Sequence, residues 1–174
     1  QDRAYGDRSL AWEDGFLIEP TMCGLLAEHL TPTMPDHVLV VESGSGYVGA
    51  LASRIFRQVT ALFPDIGPAK VALNNYAKSG YDNLTVKSGL LQRGWSRSAP
   101  YQAIILSGAS AIIPDAYAEQ LADNGQLIGF FPDETGLIKL RIFLKKYGVM
   151  SGRSLADSDV PYLPGLSPVP QFRF

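Results

Sequence analysis

The chain has 174 residues, of which 46% are hydrophobic and 18% are charged, and its formal net charge is -2. This length suits one hydrophobic core, and the charge balance leaves no basic excess that would hold a nucleic-acid backbone. The single cysteine excludes an internal disulfide, and the scarcity of Cys and His argues against a structural zinc site, so no metal is predicted.

The cellular location follows from what the N-terminus and the apolar segments lack. No apolar stretch approaches the ~20 residues that cross a bilayer, and the first residues do not have the charged and then apolar layout of a signal peptide. We therefore expect a cytoplasmic protein without membrane insertion. Because the chain begins with Gln1 rather than Met, an upstream targeting segment that has been removed stays open as an alternative.

The first predicted elements are a helix, a buried strand, a glycine turn and a second helix. Residues 20–30 place apolar side chains on one helical face, and Pro32 and Pro35 separate this helix from the strand at 37–41. That strand is β-branched and does not alternate, as in a parallel strand buried on both faces. Gly44 and Gly46 follow it, and residues 47–57 have helical spacing again.

The alternation of strand and helix continues along the chain. Strands are predicted at 58–63, 84–86, 101–106 and 126–131, with helices at 69–79, closed by Gly80, and after Pro114. Such alternation predicts an α/β fold with a doubly wound, Rossmann-like, mostly parallel sheet. After residue 131 the segments 137–147 and 149–151 leave no room for a crossover helix, so we expect an antiparallel C-terminal hairpin.

We predict a single domain over residues 1–174. Its parts are an N-terminal loop and helix at 1–35, a βα core at 36–131, and a C-terminal hairpin and extended tail at 132–174. The proline-rich end at 161–170 is expected to be extended and docked through its aromatic and leucine residues.

A set of ordered motifs resembles one enzyme family. Residues 38–47, V-L-V-V-E-S-G-S-G-Y, resemble the first motif of the protein-L-isoaspartate O-methyltransferase family, V-L-E-I-G-T-G-S-G-Y. Residues 4–10 resemble its Y-x-D-x-P-L segment, and 15–20 resemble its G-Q-T-I-S-Q-P loop with one residue fewer. Residues 80–86 match G-Y-x-N-V-x-V, and 99–105 match A-P-Y-D-A-I-I. The tail at 151–165 looks most like the alphaproteobacterial variant, whose substrate loop also reads L-x-E-P.

The resemblance implies a class I methyltransferase fold that binds S-adenosyl-L-methionine at the carboxyl ends of the first strands and methylates isoaspartyl carboxylates. It places Ile18 and Glu19 in the catalytic loop. The pocket positions that it implies for the cofactor are Glu42, Ser43, Gly44, Ser45, Gly46, Tyr47, Phe63 and Leu90.

Several of these positions depart from the family pattern. Val40 replaces an acidic residue of the first strand, and Glu42 replaces a glycine and is expected to face the crevice. Phe63 stands where a carboxylate binds the ribose, and Leu90 where an aspartate pairs with adenine. Ile18 replaces the loop hydroxyl, or that residue is deleted. Loss of two partners at ~1.5 kcal/mol each lowers affinity roughly a hundredfold.

These departures favour a degenerate family member with weak or no methyl transfer and a binding or scaffold role toward a protein partner. The alternative is an active carboxyl O-methyltransferase that acts on isoaspartyl peptides or another carboxylate, so whether the chain is an enzyme stays open. Glu19 as a general base is disfavoured, because its charge would repel a carboxylate substrate. The two interpretations differ in whether Phe63 and Leu90 fill the nucleoside volume.

Other residues carry weaker signals. Glu13, Asp14 and Glu42 could form a metal-binding cleft, but their spacing favours a solvated surface. Trp95 either lines the substrate cleft or packs beside the sheet. Its neighbours Arg93 and Arg97 are expected to be solvated, with contact to an acidic peptide as the alternative.

Overall fold

The computed structural model describes residues 8–12, 15–30 and 37–169. The family-like residues 4–7, the acidic pair at 13–14 and the prolines at 32 and 35 therefore lie outside the described residues. The end of the predicted tail, at 170–174, lies outside them as well.

The described strands are β1 (Leu10–Trp12), β2 (Gly15–Leu17), β3 (His37–Val41), β4 (Gln58–Phe63), β5 (Leu84–Ser88), β6 (Tyr101–Ala109), β7 (Leu121–Pro132), β8 (Ile138–Lys146) and β9 (Val149–Asp157). The centre of the fold is a seven-stranded sheet with the order β5-β4-β3-β6-β7-β8-β9, and a separate two-stranded hairpin, β1-β2, precedes it. The first five strands in this order are parallel to one another, and β8 and β9 add two antiparallel pairings.

Helix α1 (Pro20–His29) precedes β3. Helices α2 (Tyr47–Ile55), α3 (Ile66–Lys78) and α4 (Asp115–Gln120) join parallel strands, as the alternation in the sequence predicts, and two short 3-10 helices, at Leu91–Arg93 and Ser96–Ser98, lie between β5 and β6. The predicted Rossmann-like fold with an antiparallel C-terminal hairpin is confirmed. Of the helices in the described ranges, none is long and apolar enough to span a membrane.

The central strand β3 is the most deeply buried part of the sheet. Residues 38–41 have no exposed surface, because β4 and β6 flank the strand and helices pack against its faces. A smaller cluster lies between β4 and α3 and contains Ala61, Phe63, Ala69, Ala72 and Tyr76. The carboxyl end of β3 is thereby held in a rigid frame.

The chain after β9 docks beside the end of β6. The Ala109 amide donates to the Pro161 carbonyl, and the Leu163 amide donates to the Ala109 carbonyl, each at 2.8 Å. Val160, Leu163 and Leu166 are buried. The predicted docking of the segment 161–170 is confirmed for its leucines, Leu163 and Leu166, whereas its aromatic residue Tyr162 is only half-buried.

Lys145 of β8 closes the C-terminal end of α4. Its Nζ donates to the carbonyls of Ala118 and Leu121, both at 2.7 Å, and these belong to the carbonyls that a helix leaves without internal partners.

Replacing Lys145 with methionine keeps the apolar stem but removes both bonds, so we expect a loss of about 1–2 kcal/mol of unfolding free energy in urea titrations. The exposed Lys146→Met variant is the control, with little expected change. Equal losses in the two variants would contradict this role.

Candidate functional site

A sharply bent turn joins β3 to α2. Gly44 has φ +138° and Gly46 has φ +76°, backbone conformations that residues with a Cβ rarely adopt. The Tyr76 hydroxyl donates to the Gly46 carbonyl at 2.6 Å, and a Cβ on Gly46 would lie 2.7 Å from that hydroxyl oxygen. The predicted order of strand, glycine turn and helix is therefore present, and both glycines are required.

Some backbone amides of this turn donate hydrogen bonds within the protein, and others have no acceptor among the described residues. The Ser43 amide donates to Ser107 Oγ at 2.7 Å, and the Tyr47 amide donates to Ser45 Oγ at 3.2 Å. The amides of Gly44, Ser45 and Gly46 donate to no acceptor within the described ranges. Free amides before the first turn of a helix favour a negatively charged group.

Glu42 does not face the crevice, and that sequence prediction is wrong. Its side chain is fully buried, and Oε1 accepts a 2.6 Å hydrogen bond from the amide of Gly49 in the first turn of α2. A Cβ on Gly49 would lie 2.9 Å from this oxygen, so Gly49 makes room for the carboxylate. Glu42 points into the core because the amide of Gly49, which has no partner within the helix, donates a hydrogen bond to its carboxylate there.

The Glu42 carboxyl group is incompletely satisfied. Its Oε2 has no hydrogen-bond partner among the described residues. Burial raises the pKa of Glu42 to about 7, although the Gly49 amide, the Ser107 hydroxyl and the Ser43 amide act in the opposite direction. The group therefore titrates near neutral pH.

Phe63, at the end of β4, is packed into the core. Its side chain is fully buried with Ala69, Ala72 and Tyr76 beneath α3. Its carbonyl accepts from the Gly89 amide at 3.0 Å, which fixes the start of the loop after β5. The ring offers a ribose no polar partner, and it lies in the core cluster rather than at the surface of the crevice.

Leu90 lies in the loop after β5 and is 55% exposed. Its side chain has no group that could hydrogen-bond to an adenine amine, so the polar side chain expected in the family is absent at this position. Tyr47, at the other end of the turn, is 47% exposed and lies at its rim.

The predicted catalytic-loop residues Ile18 and Glu19 are both buried. Ser9 Oγ donates to Glu19 Oε2 at 2.7 Å, and the Glu19 carbonyl accepts from the Cys23 amide at 3.1 Å. Burial, with the nearby charges of Glu19 and Glu42, raises the pKa of the Cys23 thiol to about 12. The loop thus holds Glu19 in a bonded, enclosed position and leaves Cys23 as an unreactive thiol.

The β1-β2 hairpin covers the first half of the glycine turn. Gly15 lies so close to the Ser43 carbonyl that a Cβ there would collide with it, and Ser43 Oγ donates to the Phe16 carbonyl at 2.7 Å. This hairpin was not predicted from the sequence, and Gly15 itself belongs to β2, where it pairs with Trp12. Ser107 was not predicted either, because no sequence signal exists for it.

The structure thus brings the turn, Glu42 and Phe63 together at the carboxyl ends of β3 and β4. Within the described ranges, no group of three or more His, Cys, Asp or Glu residues is placed to hold a metal ion. Two of the three residues of the acidic cluster considered from the sequence, Glu13 and Asp14, lie outside those ranges.

Comparisons with known proteins agree with this arrangement. Residues 1–160 match the family model described as Protein-L-isoaspartate(D-aspartate) O-methyltransferase (PCMT). A protein-L-isoaspartate O-methyltransferase of Pelotomaculum thermopropionicum is 35% identical over 129 residues, which are 74% of this chain and 56% of that protein. One from Roseiflexus castenholzii is 36% identical over 129 residues, 74% of this chain and 59% of the relative.

Solved structures share the fold. A protein-L-isoaspartate O-methyltransferase superposes with a TM-score of 0.83 and 21% identity, covering 94% of this chain and 55% of that one. A Plasmodium falciparum structure described as a complex of such an enzyme with S-adenosyl-L-homocysteine has a TM-score of 0.76 and 20% identity, covering 91% and 81%. The chain spans a little over half the length of the curated relatives. It belongs to the protein-L-isoaspartate O-methyltransferase family.

Proposed function

We propose that the chain forms the cofactor-binding core of an S-adenosyl-L-methionine-dependent carboxyl O-methyltransferase that acts on isoaspartyl peptides or another carboxylate. The observation that carries this proposal is the turn at 43–46, which keeps its bent backbone and three free amides. Glu42 and Phe63, the two bulky replacements next to it, are folded into the core. The family of the chain supports the same activity.

The turn at 43–46 and the loop after β5 would bind opposite ends of the cofactor. The amides of Gly44, Ser45 and Gly46 suit its carboxylate end, and the exposed Leu90 offers its nucleoside end an apolar surface. When bound, S-adenosyl-L-methionine supplies an electrophilic methyl group. The contribution of the protein is then to position that group against an acceptor carboxylate.

A second candidate is a binding or scaffold protein without methyl transfer, whose ligand is a protein partner. One observation favours it: the Glu42 carboxylate already occupies an amide in the first turn of α2, close to where a cofactor carboxylate would lie. The buried Glu42 carboxylate would repel a ligand carboxylate that binds there. Phe63 and Leu90 add no compensating polar contact.

Calorimetric titration with S-adenosyl-L-homocysteine separates these two functions. Binding at or below ~10 µM, which corresponds to roughly 7 kcal/mol, supports the methyltransferase and would sink the scaffold proposal. No heat at millimolar ligand supports the scaffold. Methyl transfer from radiolabelled S-adenosyl-L-methionine to an isoaspartyl peptide then tests the activity itself.

Leu90→Asp tests the nucleoside end of the same site. The side chain is 55% exposed, so a carboxylate is tolerated there, and it would accept a hydrogen bond from an adenine amine. We expect about tenfold tighter binding of S-adenosyl-L-homocysteine by calorimetry. Leu73→Asp on α3, at 53% exposure, is the matched control. The same gain in both variants, or none in Leu90→Asp, would count against this placement.

A further inference from the structure

A second cavity, which we call the Arg141 pocket, lies at the carboxyl ends of β6 and β7 and has a volume of about 680 Å³. Its charged lining residues are Asp133, Glu134, Lys139 and Arg141. The volume lies within the range of ~300–1,000 Å³ that is common for ligand sites. Open α/β sheets bind their ligands at this edge.

Arg141 of β8 lines this pocket as a cation without a counterion from the described residues. Its partners on the two neighbouring strands are Gly129 and Ser154, so neither strand places a carboxylate beside it. Its Cζ lies 5.0 Å from the centre of the Phe143 ring, and its buried Nε has no hydrogen-bond partner in the described part of the chain. An anion next to the guanidinium would offset the cost of this unsatisfied donor.

The other charged groups of the pocket leave one carboxylate unpaired. Lys139 Nζ lies 2.6 Å from Asp157 Oδ1 and 3.5 Å from Asp133 Oδ2, so it is shared by two aspartates. Glu134 is exposed and, like Arg141, takes part in no salt bridge within the described ranges. The pocket therefore offers a ligand one unpaired cation and one unpaired anion.

The turn that carries Glu134 is held in place from inside. Asp133 Oδ1 accepts from the Thr135 amide at 2.8 Å, from the Thr135 hydroxyl at 2.6 Å and from the Leu137 amide at 3.1 Å. The Asp133 amide also donates to the Leu137 carbonyl at 2.9 Å. Both unpaired charges thus project from preorganised backbone, which lowers the entropic cost of binding.

We propose that the Arg141 pocket binds a short peptide in its zwitterionic form, with the terminal carboxylate at Arg141 and the terminal ammonium at Glu134. A planar guanidinium group matches the two oxygens of a carboxylate. Phosphate carries more negative charge, which Asp133 and Glu134 would repel. A single ion would pair with only one of the two groups and leave most of the cavity unfilled.

This inference goes beyond the proposed function and does not depend on it. The peptide carboxylate is held in an ion pair, and no group is transferred to it. The turn at 43–46, Phe63 and Leu90 are not among the residues that line the Arg141 pocket.

The test is an NMR titration of the full chain with trialanine, in which the backbone amide signals locate the site. We expect shifts at residues 133–135, 139–141 and 154. The C-terminally amidated tripeptide, which lacks the carboxylate, should bind about tenfold more weakly, and the N-acetylated tripeptide about threefold more weakly. Alanine, which has both charges but less contact surface, should bind about tenfold more weakly than trialanine.

Arg141→Met tests the cation directly, because methionine keeps an apolar stem over the Phe143 ring but removes the guanidinium. We expect about a tenfold loss of trialanine affinity. Arg153→Met is the matched control: this exposed arginine of β9 pairs with Ile142 rather than Arg141, and it therefore lies on the opposite face of the sheet. Its trialanine affinity should equal that of the unmodified chain. Thermal melts confirm that both variants are folded.

Four outcomes would overturn the proposal: no shifts at millimolar trialanine, equal binding of the amidated and the free tripeptide, unchanged binding in Arg141→Met, or an equal loss in Arg153→Met. Alanine that binds as tightly as trialanine would replace the peptide with a single amino acid. Trialanine has no nucleoside, so its result is separate from the titration with S-adenosyl-L-homocysteine. Failure of S-adenosyl-L-homocysteine to bind would sink only the proposed function, and failure of trialanine would sink only this inference.

Discussion

Replacing Gly15 with alanine is expected to detach the β1-β2 hairpin from the glycine turn and to destabilise the chain by about 2–4 kcal/mol. A Cβ at this position would collide with the carbonyl group of Ser43 and lie 3.2 Å from the Gly44 Cα. All of these are backbone atoms, which cannot move aside by changing a rotamer. Detachment would also break the hydrogen bond from Ser43 Oγ to the Phe16 carbonyl and expose the buried Phe16 ring.

Gly24→Ala is the matched control for this change. Gly24 lies inside α1, and a Cβ there would meet nothing within 4 Å. Because alanine is more favourable than glycine in a helix interior, we expect Gly24→Ala to add about 0.5–1 kcal/mol to the free energy of unfolding. Urea unfolding of both variants provides the measurement. A Gly15→Ala chain as stable as the unmodified chain would show that the hairpin does not rest on the turn.

The bent turn between β3 and α2 was predictable because local chemistry determines it. A continuous β-branched run at 37–41 must be buried on both faces, and the Gly44 and Gly46 that follow allow backbone conformations that other residues resist. The same reasoning found the five parallel strands and the antiparallel end of the sheet. The spacing of apolar residues and the positions of glycine and proline in the sequence indicate these elements directly.

The directions of single side chains were not predictable in this way. Glu42 was expected in the crevice because its position in the motif belongs to the cofactor turn, yet its carboxylate binds the Gly49 amide inside the fold. That choice depends on Gly49 leaving space and on the free amides of α2, which meet Glu42 only after folding. Ser107 reaches the Ser43 amide across 64 positions in the chain, a contact that no local pattern encodes.

The buried carboxyl of Glu42 is expected to make stability depend on pH. Its ordinary pKa is near 4.5, and burial raises the pKa to about 7 in the folded chain. Between these values the folded chain holds a proton that the unfolded chain has released, so stability falls as pH rises. The loss is about 1.4 kcal/mol per pH unit, on the order of 3 kcal/mol in total, and it levels off above the folded-state pKa.

Glu42→Gln should remove this dependence, because the amide cannot titrate and its oxygen can still accept from Gly49. In urea titrations from pH 5 to pH 8, the stability of the glutamine variant relative to the unmodified chain should increase with pH. Within the part of the chain that the structure describes, the Glu42 charge acts on the thiol of Cys23 of α1 and the hydroxyl of Tyr76 of α3. Burial raises the pKa of both, so they stay neutral over this range. The control is Glu28→Gln, at an exposed position of α1, whose stability should depend on pH as that of the unmodified chain does. A stability difference between Glu42→Gln and the unmodified chain that stays constant with pH would contradict titration of Glu42 in this range.

The same proton would affect a bound cofactor if the turn holds its carboxylate. Neutral Glu42 leaves the N-terminal end of α2 with its favourable field for anions, whereas ionised Glu42 opposes a second negative group there. We therefore expect the affinity for S-adenosyl-L-homocysteine to fall as pH rises through about 7 and to vary much less with pH in Glu42→Gln. If the affinity varies with pH in the same way in both proteins, the ligand carboxylate lies elsewhere, because a buried charge on Glu42 would affect an anion bound at the same helix turn.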